Sequence, residues 1–157
     1  MQLPFPPAHP LARINYRVRT GSFAYSFLVV CALFLERGFA VPVLVLAALS
    51  FLVYPQLAYL HARVALDSRQ AELHNLVADS VLLGVWIAQL HFALMPGLGA
   101  LVAINLNNAV CGGTRRLLAG MLVFALAALA WGAVQDFRII AATGALVTAM
   151  CALGIVG

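Results

Sequence analysis

Residues 117–134 read LLAGMLVFALAALAWGAV, a run without a charged side chain. Roughly 18 uncharged apolar residues suffice to cross the hydrocarbon of a bilayer as a helix, in which every backbone N–H and C=O is satisfied within the segment. Working outward, Gly112-Gly113-Thr114-Arg115-Arg116 precedes this run and closes a shorter one, Leu98 to Cys111. Pro96-Gly97 divides that from Leu76 to Met95. Earlier still lie Phe39 to Leu60 and Phe23 to Leu35, separated by Glu36-Arg37-Gly38, and on the other side comes Ile139 to Val156. The pattern predicts an all-α membrane protein, a bundle of six transmembrane helices with short outer loops. Residues 1–20 form a basic N-terminal segment on the cytoplasmic side and 21–157 the six-helix domain. Phe23–Leu35 and Leu98–Cys111 are short for spans, so a re-entrant hairpin across Leu76–Cys111 is the other way to count them.

Composition agrees with lipid as the solvent. The 157 residues are 64% hydrophobic and 9% charged, with a mean hydropathy of +1.02. A soluble domain is near one quarter charged and could not bury this much apolar surface. A water-soluble globule, a disordered chain and a disulfide framework are therefore excluded. Cys31, Cys111 and Cys151 sit in apolar runs without a CxxC pair and read as small hydrophobes.

Arginine placement sets the orientation. Six spans put Arg13, Arg17, Arg19, Arg63, Arg69, Arg115 and Arg116 on one side and only Arg37 and Arg138 on the other. By the positive-inside rule both termini are expected in the cytoplasm. The basic start followed by an apolar run has the layout of a secretory signal, but Glu36-Arg37 interrupts it and five more apolar runs follow, so it reads as the first span. The sequence stops within apolar residues, Gly154-Ile155-Val156-Gly157, which suggests a fragment whose parent continues into a cytoplasmic portion.

Polar groups inside a membrane must find partners, so each is a candidate site. Glu72, Asn75 and Asp79 recur at three and four residues on the third run, Asn105, Asn107 and Asn108 fall on the fourth, and Tyr54, Pro55 and Gln56 on the second. Tyr54, Gln56, Glu72, Asn75, Asp79, Asn105 and Asn108 are thus expected to form a polar cluster in the inner leaflet, with Asp79 and Asn108 at similar depth. Two readings stand: interhelical hydrogen bonds that hold a bundle together, or a pocket for a lipophilic small molecule. Being ionisable, Asp79 must pair with a cation, snorkel to the interface or stay protonated, and Arg69, Arg115 and Arg116 are the candidate partners. His9, His61, His74 and His91 do not cluster, since His61 and His74 fall in the inner loop, so no metal site is expected.

On the sixth run Ala141, Gly144, Ala145, Thr148, Ala149 and Ala152 form a stripe of small residues, which lets helix backbones approach closely. The stripe suits either a homodimer seam or internal packing against Ala128 and Gly132. No phosphate loop, GxSxG or HExxH motif is present, so no catalytic site is expected within this chain, no cofactor and no nucleic-acid partner.

Tyr54-Pro55-Gln56-Leu57-Ala58, the block from Glu72 to Ser80, Gly84-Val85-Trp86 and Pro96 together resemble the second family of membrane-associated sensor domains (MASE type two). Tyr16-Arg17 and the Gly112-Gly113 turn also fit, and the likeness runs from Arg13 to about Ala130. Tyr54, Pro55, Glu72, Asn75, Asp79, Gly84 and Pro96 are its signature positions. The resemblance implies a sensory and anchoring domain in the bacterial inner membrane, N-terminal to a dimeric nucleotide cyclase. Such a parent would use a divalent metal and a nucleoside triphosphate. General likeness favours a class III adenylate cyclase making cAMP, with a GGDEF diguanylate cyclase as the alternative. A small transporter or a passive anchor are the readings outside this class; no convincing repeat relates the two halves, as a transporter often shows.

Overall fold

The protein is described by a computed structural model covering residues 9–156, with the backbone alone for the last two of these. Residues 1–8, the start of the expected basic segment, and Gly157 lie outside the described residues. Within them the fold is all-helical: α1 (Pro10–Arg37), α2 (Val41–Val64), α3 (Ser68–Gln89), α4 (Leu94–Val134) and α5 (Ala145–Val156). The first four are long and apolar enough to cross a membrane. At about 1.5 Å per residue α5 is roughly 18 Å long, short of the ~30 Å hydrocarbon.

The helix ends follow local chemistry. The Leu11 N–H donates to His9 Nδ1, and Pro10, whose missing N–H is harmless in the first turn, starts α1. Gly38 ends it at φ 67°, in the left-handed region, its N–H returning to the Phe34 carbonyl at 2.8 Å. In α2 the turns widen to a π-helix over Leu49–Val53, directly before Pro55. Proline cannot donate to the carbonyl four residues back and its ring crowds that group, and the wider turn accommodates both. Asp67 caps α3, its Oδ1 accepting from the Gln70 N–H at 2.9 Å.

These bounds correct the expected ones. The first helix begins at Pro10 rather than Phe23, so Arg13, Arg17 and Arg19 ride on it instead of preceding it. The second runs on to Val64 and the third starts at Ser68, which places His61 and His74 on helices; the loop between is only 65–67. The sixth run is helical only from Ala145; 138–144 has no regular secondary structure and is bonded to the turn after α3. Ile140 N–H donates to the His91 carbonyl at 2.8 Å, and the Ala141 carbonyl accepts from Leu94 N–H at 3.0 Å. Ala141 and Gly144 therefore leave the helical stripe.

The chain forms two compact units, the first ending at Asn75 and the second beginning at Leu76, so the division falls within α3. In the first unit α1 and α2 pack through Phe23, whose ring meets Phe51 edge-on at 5.7 Å and stacks on Tyr54 at 5.9 Å.

In the second unit α4 is broken at Gly113 (φ 67°, ψ −167°), a conformation confined in practice to glycine. Asn108 and Gly120 flank the break. A straight helix would hold them about 18 Å apart, yet a Cβ on Gly120 would lie 2.6 Å from Asn108 Nδ2. The chain therefore doubles back at Gly113 into two arms of about 20 residues, each the length of a span. Gly84 of α3 packs on the second arm, where a Cβ would stand 2.4 Å from the Phe124 carbonyl oxygen. The turns after α3 and α4 share a form. In each, two consecutive residues adopt positive φ, His91-Phe92 and Asp136-Phe137, each pair five residues beyond a tryptophan, and the two phenylalanine rings stack at 6.3 Å.

Candidate functional site

The first unit gathers a buried polar network from three helices. Arg19 on α1 donates from Nη2 to Glu72 Oε1 on α3 at 2.7 Å, with the two side chains 1% and 0% exposed. Asn15, one turn before Arg19, donates Nδ2 to the same oxygen at 3.1 Å. Asn75 Nδ2 donates to the other carboxylate oxygen at 3.1 Å and to the Ala58 carbonyl at 2.8 Å. The last turn of α2 brings His61, whose Nδ1 lies 2.9 Å from Asn75 Oδ1 and so serves as donor, and the Tyr54 hydroxyl donates to the Asn75 carbonyl at 3.3 Å. The π-helical stretch shifts the register of α2 just before Tyr54.

A carboxylate and a guanidinium taken out of water lose several kcal/mol of solvation each, and their attraction compensates only when the remaining lone pairs and protons are also satisfied. Asn15 and Asn75 do this for Glu72. Both Glu72 oxygens are occupied, which makes the network a fastener of α1, α2 and α3 within this unit. It presents no activated nucleophile.

Of the expected cluster, the structure joins Tyr54, Glu72 and Asn75 here. Gln56 is exposed and accepts from the Tyr16 hydroxyl at 2.6 Å, beside the Tyr16–Tyr59 stack. Asn15, Arg19 and His61 were not anticipated. Their signal lies in spacing, since Ala12, Asn15, Arg19 and Phe23 recur at three and four residues and are all buried.

The remaining candidates lie in the second unit. Asp79 is buried on α3, one residue before the fully buried Ser80. Ser80 Oγ donates to the Leu76 carbonyl, Asn108 Nδ2 to that of Ile104, and both side chains lie within 3.3 Å of the place a Gly120 Cβ would take. Asn105 is half-buried, and its Oδ1 is enclosed without a hydrogen-bond partner among the described residues. On α5, Val147 and Cys151 point inward while Ala145, Ala149 and Ala152 are exposed. Thr148 is half-buried with its hydroxyl 2.9 Å from that of Thr143. Among the described residues no three His, Cys, Asp or Glu side chains are grouped to hold a metal.

The profile of the MASE2 domain family matches residues 14–102. The chain belongs to the MASE2 family. The match ends short of Ala130 and holds every member of the Arg19–Glu72 network together with Asp79, whereas Asn105, Asn108 and α5 lie beyond it. Two curated relatives are similar to this MASE2 chain, both described as "Probable diguanylate cyclase DgcC", from Escherichia coli strain K12 and from Escherichia coli O6:H1 strain CFT073. Each is 34% identical over 86 residues, which is 55% of this chain and 23% of the relative. The chain thus spans less than a quarter of the length of these relatives. No solved structure matches it.

Proposed function

We propose that this chain is the membrane-embedded sensory and anchoring domain of a diguanylate cyclase in the bacterial inner membrane. The observation that carries this reading is the similarity to two relatives described as probable diguanylate cyclases, through a region that is a small part of their length. It replaces the adenylate cyclase favoured by general likeness alone: the relatives point to cyclic di-GMP, and nothing among them points to cAMP.

In this reading the chain crosses the membrane six times, with both termini in the cytoplasm; the two arms of α4 count as separate spans, and the sixth crossing is made by α5 together with the non-helical residues 139–144 that lead into it. Arg19 is spent in a buried ion pair and no longer counts as a flanking charge. Arg13, Arg17, Arg63, Arg69, Arg115 and Arg116 still outnumber Arg37 and Arg138. The protein works as a homodimer, and the polar network fixes the first three helices so that a change in the membrane alters how two catalytic portions meet. The test is to express the full-length parent in cells lacking other diguanylate cyclases and quantify both nucleotides. Cyclic di-GMP should rise and cAMP should not. The reverse pattern would return the adenylate cyclase reading, and neither nucleotide would end the cyclase proposal.

A further inference from the structure

Where α2 gives way to α3 an open recess of about 430 Å³ is lined by His9, Arg63, Leu66, Asp67, Ser68 and Arg69, with Ala65 at its edge. Its one acid is already engaged, because Asp67 Oδ1 caps the first turn of α3. Ser68 is engaged too, its hydroxyl accepting from the His9 N–H at 3.2 Å. The side chains of Arg63 and Arg69 make no ion pair or hydrogen bond among the described residues. Two guanidinium groups, from the last turn of one helix and the first turn of the next, thus border a concave space whose single carboxylate pairs with neither of them, leaving two positive charges against one negative. Between them Leu66 is fully exposed, and Val64 beside it is half exposed.

A water-soluble anion would account for the arginines but leave Leu66 standing in water. A phospholipid accounts for both. Its phosphodiester suits the planar fork of guanidinium donors, and its acyl chains cover the apolar side chains next to it. Basic pockets between membrane helices near the cytoplasmic surface are suited to anionic headgroups. We propose that this recess binds the headgroup of an anionic phospholipid, with Arg63 and Arg69 on the phosphodiester and Leu66 among the acyl chains. The inference rests on the membrane reading of the chain but not on the cyclase reading.

The full chain in mild detergent is titrated separately with dioleoyl-phosphatidylglycerol, dioleoyl-phosphatidylcholine and inorganic phosphate, and bound species are counted by native mass spectrometry. Phosphatidylglycerol should bind in preference to phosphatidylcholine. With each surface arginine contributing about fivefold, the R63Q/R69Q double variant should bind phosphatidylglycerol roughly 25-fold more weakly. Equal affinity in variant and wild type would overturn the site, and equal binding of inorganic phosphate would overturn the lipid as its source. A second measurement leaves the arginines intact. A fluorophore on L66C, in a chain with the three native cysteines replaced by alanine, should be quenched more by spin-labelled phosphatidylglycerol than by spin-labelled phosphatidylcholine at equal mole fraction in vesicles. Equal quenching would overturn the proposal.

Discussion

Arg19 and Glu72 lie 53 residues apart in sequence and 2.7 Å apart in space, both almost wholly removed from solvent. They sit on different helices, so the pair fixes the rotation of α1 about its axis as well as its distance from the start of α3. A misrotated α1 would bury an uncompensated charge, which is the physical reason a single arrangement is favoured.

Breaking the pair from one side should be worse than removing it. Glu72→Met or Arg19→Met leaves the other charge buried without its ion-pair partner and should lower stability by about 3–5 kcal/mol, whereas the Arg19→Met/Glu72→Met double variant should cost much less than the sum of the two single changes. Thermal unfolding of the four proteins in one detergent measures the coupling. Additive losses would mean that the two side chains do not depend on each other.

A second expectation concerns Gly84, which the family resemblance marks and the structure explains. A Cβ there would sit 2.4 Å from the Phe124 backbone oxygen and 2.9 Å from the Ala127 Cβ. Backbone cannot yield as a flexible side chain can, so Gly84→Leu should separate α3 from the second arm of α4 at a cost of at least about 1–3 kcal/mol. Gly99, with open space around it, serves as the control, and Gly99→Leu should unfold close to the wild-type temperature.

Membrane helices were legible in the sequence because uncharged runs have no other stable home, and the four long helices fall where those runs do. The ion pair was not legible for an equally physical reason. Charge patterning assigns an arginine to an interface from its place before an apolar run, and Arg19 precedes Phe23–Leu35. Only the helix starting at Pro10 turns it inward, and a proline-rich opening obscures that start. Glu72, Asn75 and Asp79 were legible from their spacing as sharing one helix face, but nothing in the sequence named Asn15 or Arg19 as partners of Glu72. The start of the sixth helix was missed for another reason. Ala141 and Gly144 continue the spacing of Ala145 and Thr148, but 138–144 is not helical, and Ile140 and Ala141 bond to the turn around His91 and Leu94. Periodicity among small residues carries little information about whether a segment is helical, since such residues suit tight turns and close backbone contacts as well.

The break in α4 gives a topological prediction. With Gly113 as a turn between two spans, reporter fusions after residue 113 and after residue 157 should both report the cytoplasm, and a fusion after Asp136 the opposite side. Alkaline phosphatase should be inactive at the first two positions and active at the third. Activity at residue 157 would remove a span from the proposed six. Gly113→Ala tests the break itself. At φ 67° and ψ −167° a Cβ should add strain of about 1–3 kcal/mol, seen as a lower unfolding temperature.

The last expectation concerns how two copies of the chain meet. The stripe proposed as a homodimer seam is reduced by the structure to the helical residues Ala145, Thr148, Ala149 and Ala152. Val147 and Cys151 occupy the inward face of α5, and Ala145, Ala149 and Ala152 are exposed among the described residues, which leaves that face accessible to another helix. Alanine at these positions lets two backbones approach closely, where dispersion and weak hydrogen bonds accumulate without a hydrophobic drive. Single cysteines at Ala145, Ala149 or Ala152, in a chain whose native cysteines are replaced, should therefore crosslink between copies in native membranes. A cysteine at Val147 should not, because it faces its own chain. Ala149→Leu should weaken the crosslink of a cysteine at Ala145 while leaving membrane insertion unchanged. Equal crosslinking from inward and outward positions would indicate collision rather than a seam. Efficient crosslinking only from another helix would move the dimer contact, and with it the route by which a signal leaves the membrane, away from α5.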